Sequence, residues 1–280
     1  MSKFRFLVTG MLMTVAALPA AANQVYSVFY DNRFGTINDS TGAFTQIGTL
    51  PIAKAAGIAY DNGDLYVQDL QSNLIEVDPA SGEASVMGSS GLHLSSVGFA
   101  GGINGLFEVD YASNLYSINP ATGEATLIGA TGLGANNGSW DTSLSDSGTE
   151  LYFTAGGANA IDQLYEINTT TGKATDLGST GVSGIAGSAI INGNLELFQY
   201  HWSGATDYIY TAPLGSTDFV AAAMLDTQVV DGGTLLVQGA PEYSDAPIAP
   251  EPYSLPLVGS GLIGLALWGR RRSVPDLVKA

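Results

Sequence analysis

The chain has 280 residues, no cysteine, 36 glycines and a formal net charge of −17 at pH 7. The missing cysteine excludes disulfides, thiol catalysis, thiolate metal sites and a lipidated N-terminal cysteine. Between residues 23 and 249 the only cations are Arg33, Lys54 and Lys173, so the surface repels polyanions, and binding to nucleic acid or to an anionic membrane is excluded.

Residues 1–22 have the pattern of a secretory signal peptide. A positively charged start and an apolar stretch of 13 residues precede the sequence Ala20-Ala21-Ala22, which offers an A-x-A cleavage pattern. The apolar stretch is shorter than the about 20 residues that a membrane-spanning helix needs. We therefore expect passage through the Sec translocon and cleavage between Ala22 and Asn23, with Ala20 and Ala22 as the small residues of the cleavage site.

Four copies of one motif follow. The clearest copy is residues 114–132 (NLYSINPATGEATLIGATG), and the others are residues 34–50, 73–91 and 163–181. Alternating side chains indicate strands, and an Asn or Asp followed by Thr-Gly or Ser-Gly indicates a turn, so each copy predicts a β-hairpin. The turn glycines recur at steps of 40, 41 and 49 residues, a spacing typical of propeller blades.

Further short strands are predicted before each hairpin, which gives about four strands per unit. A fifth unit ends in residues 208–225, whose turn lacks the Thr-Gly signature. Residues 227–239 look like the opening of another unit, whereas the first unit lacks part of its opening pair, which suggests a ring closed by both chain ends. The predicted fold class is therefore all-β: residues 23–239 form a β-propeller of five four-stranded blades, with six blades as the alternative.

The composition changes after residue 239. Residues 240–249 are rich in proline, alanine and acidic residues and are predicted to form an exposed linker. Residues 250–280 then combine Pro250-Glu251-Pro252, an apolar stretch at residues 255–268 and the cluster Arg270-Arg271-Arg272. The apolar stretch is predicted to form a transmembrane sorting helix, and its 14 residues suit a transient hold better than a lasting span. The arginines would remain on the cytoplasmic side.

This order of parts closely resembles the PEP-CTERM sorting signal of Gram-negative bacteria. Residues 250–252 match the motif and residues 270–272 match the basic stop, although the tail at residues 273–280 is longer than usual. The resemblance implies export across the inner membrane and recognition by an exosortase, a membrane-embedded cysteine protease and transpeptidase. Processing near the motif would then precede transfer to, or release at, the cell surface. The repeats resemble LYxIDPxTGxxTxIG-type units of exported bacterial proteins that look like β-propellers.

Candidate catalytic or metal-ligating residues are few. His93 and His201 have no G-x-S-x-G elbow beside them and are interpreted as loop or packing residues. The turn Asp61-Asn62-Gly63-Asp64 has oxygen ligands spaced like part of a calcium loop, but it lacks the closing glutamate, and Asn-Gly is a strong hairpin-turn signal. We therefore predict no catalytic residue, no metal site and no cofactor, with weak calcium binding as the alternative.

Aromatic residues recur at related positions of the units. The repeated tyrosines are interpreted as core between blades; they are Tyr66, Tyr116, Tyr152 and Tyr165. Trp140 and Trp202 lie near predicted strand ends and are candidates for a carbohydrate-stacking surface.

Two functions from different classes fit these features. The favoured one is a non-enzymatic, exosortase-processed protein of the cell surface or extracellular matrix, displayed to bind polysaccharide or another surface protein. The alternative is a secreted propeller hydrolase or lactonase with a divalent metal on the axis, held by carboxylates and amides of the innermost strands. The discriminating observation is whether Asp, Asn or His side chains from different blades converge at the axis.

Overall fold

A computed structural model of the chain describes residues 24–29, 31–61, 63–92, 96–102, 105–133, 142–148, 150–156, 160–200 and 206–226. This part of the chain forms 19 strands in five antiparallel sheets and contains no helix. Accordingly, nothing in it amounts to a helix long and apolar enough to cross a membrane. The predicted signal peptide, linker and C-terminal cassette lie outside the described residues.

Each sheet uses consecutive strands in chain order. The first sheet consists of β1 (Gln24–Val28), β2 (Arg33–Asn38) and β3 (Phe44–Thr49). The second consists of β4 (Ala55–Asp61), β5 (Asp64–Asp69), β6 (Asn73–Val77) and β7 (Ala84–Ser89). The third consists of β8 (Ser96–Gly102), β9 (Gly105–Asp110), β10 (Asn114–Ile118) and β11 (Ala125–Ala130). The fourth consists of β12 (Thr142–Asp146), β13 (Glu150–Ala155), β14 (Ile161–Asn168) and β15 (Ala174–Ser183). The fifth consists of β16 (Ile185–Ile191), β17 (Asn194–Gln199), β18 (Tyr208–Pro213) and β19 (Val220–Met224).

Five buried apolar clusters join these sheets in a ring. Four of them connect each sheet to the next one along the chain. The fifth joins Phe29 and Phe44 of the first sheet to Phe198 and Ile209 of the last. Each sheet is therefore a blade of a five-bladed β-propeller. Blade 5 packs directly on blade 1, so the six-blade alternative is wrong for the described residues.

The first strand of each four-stranded blade lies innermost. β4 contacts β8, β8 contacts β12, and β12 contacts β16, so these four strands form one continuous wall around the axis. All seven residues of β16 are buried, as expected for a strand enclosed by its own blade and its neighbours. Blade 1 has three strands among the described residues, and residues 227–239, which were predicted to open another unit, lie outside them.

The predicted repeat hairpins are all present, as β2–β3, β6–β7, β10–β11 and β14–β15. In the β6–β7 turn, Asp78 Oδ1 accepts hydrogen bonds from the N–H groups of Ala80 (2.7 Å) and Ser81 (3.0 Å), and Gly82 adopts a φ of +74°. The same N–H groups hold the pKa of the Asp78 carboxyl below its usual value. Asparagine fills the equivalent position in the other three turns, where its amide oxygen accepts bonds of the same kind.

The structure explains why the turn repeats, because each turn docks on the outer strand of the preceding blade. A Cβ added to Gly88 in β7 would overlap the carbonyl oxygen of Thr122, which belongs to the turn of blade 3. A Cβ on Gly129 in β11 would likewise come within 2.6 Å of the carbonyl oxygen of Thr171 in the turn of blade 4. The Thr-Gly turn therefore forms a joint between blades.

Candidate functional site

The strand order gives the ring one end that carries two turns of each four-stranded blade. In blade 2 the antiparallel pairing places the β4–β5 turn and the β6–β7 turn at the same end of the sheet. The other four-stranded blades have the same strand order. We refer to the end that carries these two turns as the hairpin end.

Blade 2 carries an acidic groove of about 330 Å³ at the hairpin end. The carboxylates that line this groove are Asp64, Glu76, Asp78 and Glu83. Burial, followed by the charges of Asp64, Glu76 and Asp61, raises the pKa of the neighbouring Tyr66 hydroxyl to about 12. Such a groove attracts cations and repels anions.

Two buried carboxylates lie at the hairpin end of the inner strands. Asp61 ends β4 and Asp146 ends β12, and these residues are 4% and 1% exposed. Burial raises the pKa of both carboxyls; Asp64 adds to the effect on Asp61, and Asp61 adds to the effect on Asp146. Blades 2 and 4 therefore each end their first strand in a buried carboxylate.

The two carboxylate oxygens of Asp146 differ in their hydrogen bonding. Its Oδ1 accepts a bond of 2.6 Å from the N–H group of Gly148, whereas its buried Oδ2 has no hydrogen-bond partner. Gly102, which ends β8 in the intervening blade 3, lies beside it. A Cβ at Gly102 would come within 2.5 Å of Asp146 Oδ2 and 2.7 Å of Asp146 Cγ. The missing side chain at residue 102 therefore leaves the room that this carboxylate occupies.

A further buried carboxylate lies where blade 5 meets blade 1. Glu196 in β17 is 8% exposed, and its Oε2 has no hydrogen-bond partner. Burial, with a smaller contribution from Asp39 in the turn of blade 1, raises the pKa of Glu196 to about 7. The equivalent positions of the preceding blades carry aromatic residues, namely Tyr66, Phe107 and Tyr152.

A polar contact links blades 2 and 3. The side-chain nitrogen of Gln68 in β5 donates a buried hydrogen bond of 2.7 Å to Glu108 Oε2 in β9. Neither residue is more than 2% exposed. The contact belongs to the packing between blades, because a substrate from solvent cannot reach it.

The sequence-predicted residues divide into two groups. Several lie outside the described residues: His93, His201, Trp140, Trp202, Asn62, Ala20, Ala22, Asn23, Pro250, Glu251, Pro252, Arg270, Arg271 and Arg272. The interpretation of the tyrosines as core is confirmed for Tyr66 and Tyr152, which are 6% and 7% exposed and pack between blades. Tyr116 and Tyr165 are half-buried. Tyr116 packs against the apolar cluster between blades 2 and 3, and Tyr165 packs against the one between blades 3 and 4.

The predicted turn at residues 61–64 is confirmed as a hairpin turn. Asp61 pairs with Asp64 in the ladder between β4 and β5, and Gly63 between them has a φ of +107°. Within the described ranges, no group of three or more His, Cys, Asp or Glu side chains is placed to hold a metal ion.

The burial of Asp61 and Asp146 was missed at the level of the sequence. Asp61-Asn62-Gly63 and Asp146-Ser147-Gly148 occupy the same place in their units. Aligning the openings of the units, in addition to their hairpins, would have shown that both aspartates end inner strands. Glu196 carries a weaker signal, since it stands where the other units have an aromatic residue.

Fold and site together define a five-bladed β-propeller with an acidic groove at the hairpin end of blade 2. Among solved structures, the chain is similar to one in a nidogen/laminin complex, with 9% identity and a TM-score of 0.51 over 78% of this chain and 98% of the other. It is also similar to a protein of unknown function from Bacteroides thetaiotaomicron VPI-5482, with 15% identity and a TM-score of 0.50 over 72% of this chain and 58% of the other. At these identities the similarity concerns the fold alone. No protein-family model and no curated protein matches the chain.

Proposed function

We propose that the chain is an exported bacterial protein, processed at its C-terminal cassette by an exosortase-type enzyme and displayed outside the cell as a non-catalytic binding or structural domain. The observation that carries the proposal is the order of parts in residues 250–280, namely Pro250-Glu251-Pro252, the apolar residues 255–268 and then Arg270-Arg271-Arg272. Arginines that follow an apolar stretch stay on the cytoplasmic side, which leaves the preceding ring outside. The signal-peptide pattern of residues 1–22 supports the same direction of export.

The ring supports a binding role through its surface charge. Its groove on blade 2 is lined by four carboxylates, and three cations stand between residues 23 and 249. Acidic polysaccharides and nucleic acids are repelled by such a surface. We therefore infer a partner that is a neutral polysaccharide or a protein surface that carries cations.

The alternative of an axial metallohydrolase or lactonase is not proposed for this ring. The carboxylates that end two of the inner strands, Asp61 and Asp146, are 4% and 1% exposed. A hydrolase must bring its substrate within hydrogen-bond distance of its catalytic groups. A substrate the size of a sugar or a lactone cannot reach side chains that are buried to this extent.

The proposal predicts that two substitutions in the cassette prevent processing. In a bacterium with an exosortase-type system, the double variant Pro250→Ala and Glu251→Gln is expected to accumulate in the membrane fraction at its unprocessed mass. The amount of the protein in the surface and medium fractions should fall at least tenfold. Cell fractionation followed by immunoblotting against the ring measures both effects.

A matched control is available in the linker. The double variant Glu242→Gln and Pro247→Ala changes the same residue types a few positions earlier. It should be processed and displayed like the wild type. If both double variants reach the surface in wild-type amounts, the cassette is not a sorting signal and the proposal fails.

A further inference from the structure

Blade 1 differs from the other blades in having no innermost strand among the described residues. Its sheet contains β1, β2 and β3, whereas each of the others has four strands. The hairpin β2–β3 carries the repeat turn, as β6–β7 does in blade 2, so β1 corresponds to β5, the second strand of blade 2. β5 pairs with the innermost strand β4, but no described strand pairs with the same side of β1. We refer to this side of β1 as its inner edge.

The strand β1 is buried like a strand inside a sheet. Val25 and Val28 are fully buried, and Ser27 is 5% exposed. In the outer edge strands β7 and β11, by contrast, Val86 is 67% exposed and Leu127 is 59% exposed. Alternate residues of an edge strand point their N–H and C=O groups away from the sheet, and buried groups of this kind are almost always paired. The inner edge of β1 therefore requires a partner from outside the described residues.

The described part of the chain ends at a crossing into blade 1. The N–H group of Leu225, just after β19, donates to the carbonyl oxygen of Asp207 (2.9 Å), and the N–H group of Asp226 donates to the carbonyl oxygen of Gly42 in blade 1 (3.0 Å). In blades 1, 2 and 3 the chain makes the same bond as Leu225 after its outer strand, and it then enters the innermost strand of the next blade. The residues that follow Asp226 are thus in place to enter blade 1.

The length of these crossings selects the segment. The three crossings run from Leu50 to Ala55, from Ser90 to Ser96 and from Thr131 to Thr142. A crossing of similar length after Leu225 brings the start of an innermost strand to between residues 230 and 236. Gly232-Gly233 disfavours a strand that runs through it, and the first apolar stretch after these glycines is residues 234–239 (TLLVQG).

We propose that residues 234–239 bind the inner edge of β1 and form the fourth, innermost strand of blade 1. The segment runs antiparallel to β1, as β4 does to β5 in blade 2. Its apolar residues Leu235, Leu236 and Val237 suit a strand enclosed between two blades, as β16 is. The sheet of blade 1 then contains strands from both ends of the mature chain, and it joins blade 5 to blade 1 in addition to their shared apolar cluster.

The closing strand limits where the C-terminal cassette can be processed, a consequence that rests on the proposed function although the strand itself does not. A cut after residue 239 leaves the ring complete. A cut before residue 234 removes the closing strand and leaves β1 with an open edge, which invites pairing with another chain. Processing near Pro250-Glu251-Pro252 spares the strand.

Cysteine pairs in the full chain test the contact directly, because the chain has no cysteine of its own. Ser27→Cys is combined with one further substitution at a time, and the oxidised protein is analysed by mass spectrometry. We expect a disulfide within one chain only where the second cysteine lies opposite residue 27 on the same face of the sheet, since the Cβ atoms must come within about 4.5 Å. The second substitutions are Thr234→Cys, Leu235→Cys, Leu236→Cys, Val237→Cys, Gln238→Cys and Gly239→Cys. Ser27→Cys with Ser244→Cys in the linker is the matched control and should stay reduced.

Hydrogen exchange provides a second measurement. Residues 234–239 are replaced in the full chain by an alternating glycine–serine sequence of equal length, which removes every apolar side chain of the segment. The amides of β1 should then exchange at least tenfold faster, while those of β9 in blade 3 exchange as in the wild type, since only the cover of β1 is lost. The same replacement of residues 242–247 in the linker should leave both strands unchanged. If the first replacement does not fold, the disulfides decide the matter.

Three results would overturn the proposal. If Ser27→Cys forms no disulfide with any of the cysteines at residues 234–239, the segment does not lie on β1. If the amides of β1 exchange at the wild-type rate after the replacement of residues 234–239, another part of the chain covers the edge. If the disulfides join two chains, a second copy of the protein supplies the strand.

Discussion

Replacing Glu196 by glutamine is expected to raise the free energy of unfolding by about 3 kcal/mol at pH 8 and to leave it unchanged at pH 4. The folded protein raises the pKa of this carboxyl from 4.5 to about 7, so the folded state binds the proton more tightly than the unfolded chain does. A difference of one pH unit in a pKa corresponds to about 1.4 kcal/mol. The contribution of Glu196 to stability is therefore fully favourable below pH 4.5, falls as the pH rises to about 7, and is constant above that.

Urea denaturation of the wild type and of Glu196→Gln between pH 4 and pH 8 measures this difference. Glutamine imitates the protonated side chain, so the variant should lack this part of the pH dependence. The control is Glu124→Gln on blade 3, an exposed glutamate next to a Thr-Gly turn. If the free energy of unfolding of both variants depends on pH as that of the wild type does, burial between blades 5 and 1 does not raise the pKa of Glu196.

Replacing Gly88 by alanine is expected to destabilise the ring by about 3 kcal/mol. The new methyl group would overlap the carbonyl oxygen of Thr122, a backbone atom of the neighbouring turn that cannot rotate away. Overpacking of a well-packed contact costs about 1–3 kcal/mol, and contact with backbone belongs at the upper end. Chemical denaturation of the purified protein should show the loss as a lower urea midpoint.

Gly48 in β3 is the matched control, because it occupies the same repeat position in blade 1. A Cβ there would meet the carbonyl oxygen of Ser81 at 3.6 Å, an ordinary van der Waals distance. Gly48→Ala is therefore expected to be neutral or to stabilise by about 0.5 kcal/mol, since alanine restricts the unfolded chain. Equal losses for the two variants would show that the turns do not dock on the preceding blades as described.

The hairpins were predictable from the sequence because every determinant of a hairpin is local. Alternation, an Asn or Asp at the turn and a glycine at positive φ all fall within a few residues of each other. The strand limits were less predictable. β4 begins at Ala55, whose N–H group donates a hydrogen bond to the side-chain oxygen of Asn32 in blade 1. That partner lies 23 residues away in the chain.

The number of blades and the buried carboxylates depended on contacts that no local pattern specifies. Five and six blades fit the same repeat length, and the packing of Phe198 in blade 5 against blade 1 decides between them. Likewise, Asp61 and Asp146 are buried at the ends of β4 and β12, which pack against β8 of the blade between them. The sequence predicts the turns that contain these aspartates, but it does not predict that their side chains are buried.

The central proposal is that the cell exports the ring and processes the chain at both ends. The most direct test is intact-mass and terminal-peptide mass spectrometry of the protein recovered from the cell surface or the medium. We expect an N-terminus at Asn23 and a C-terminus near Pro250-Glu251-Pro252, without residues 255–280. Recovery of a surface protein that retains Arg270-Arg271-Arg272 would contradict it.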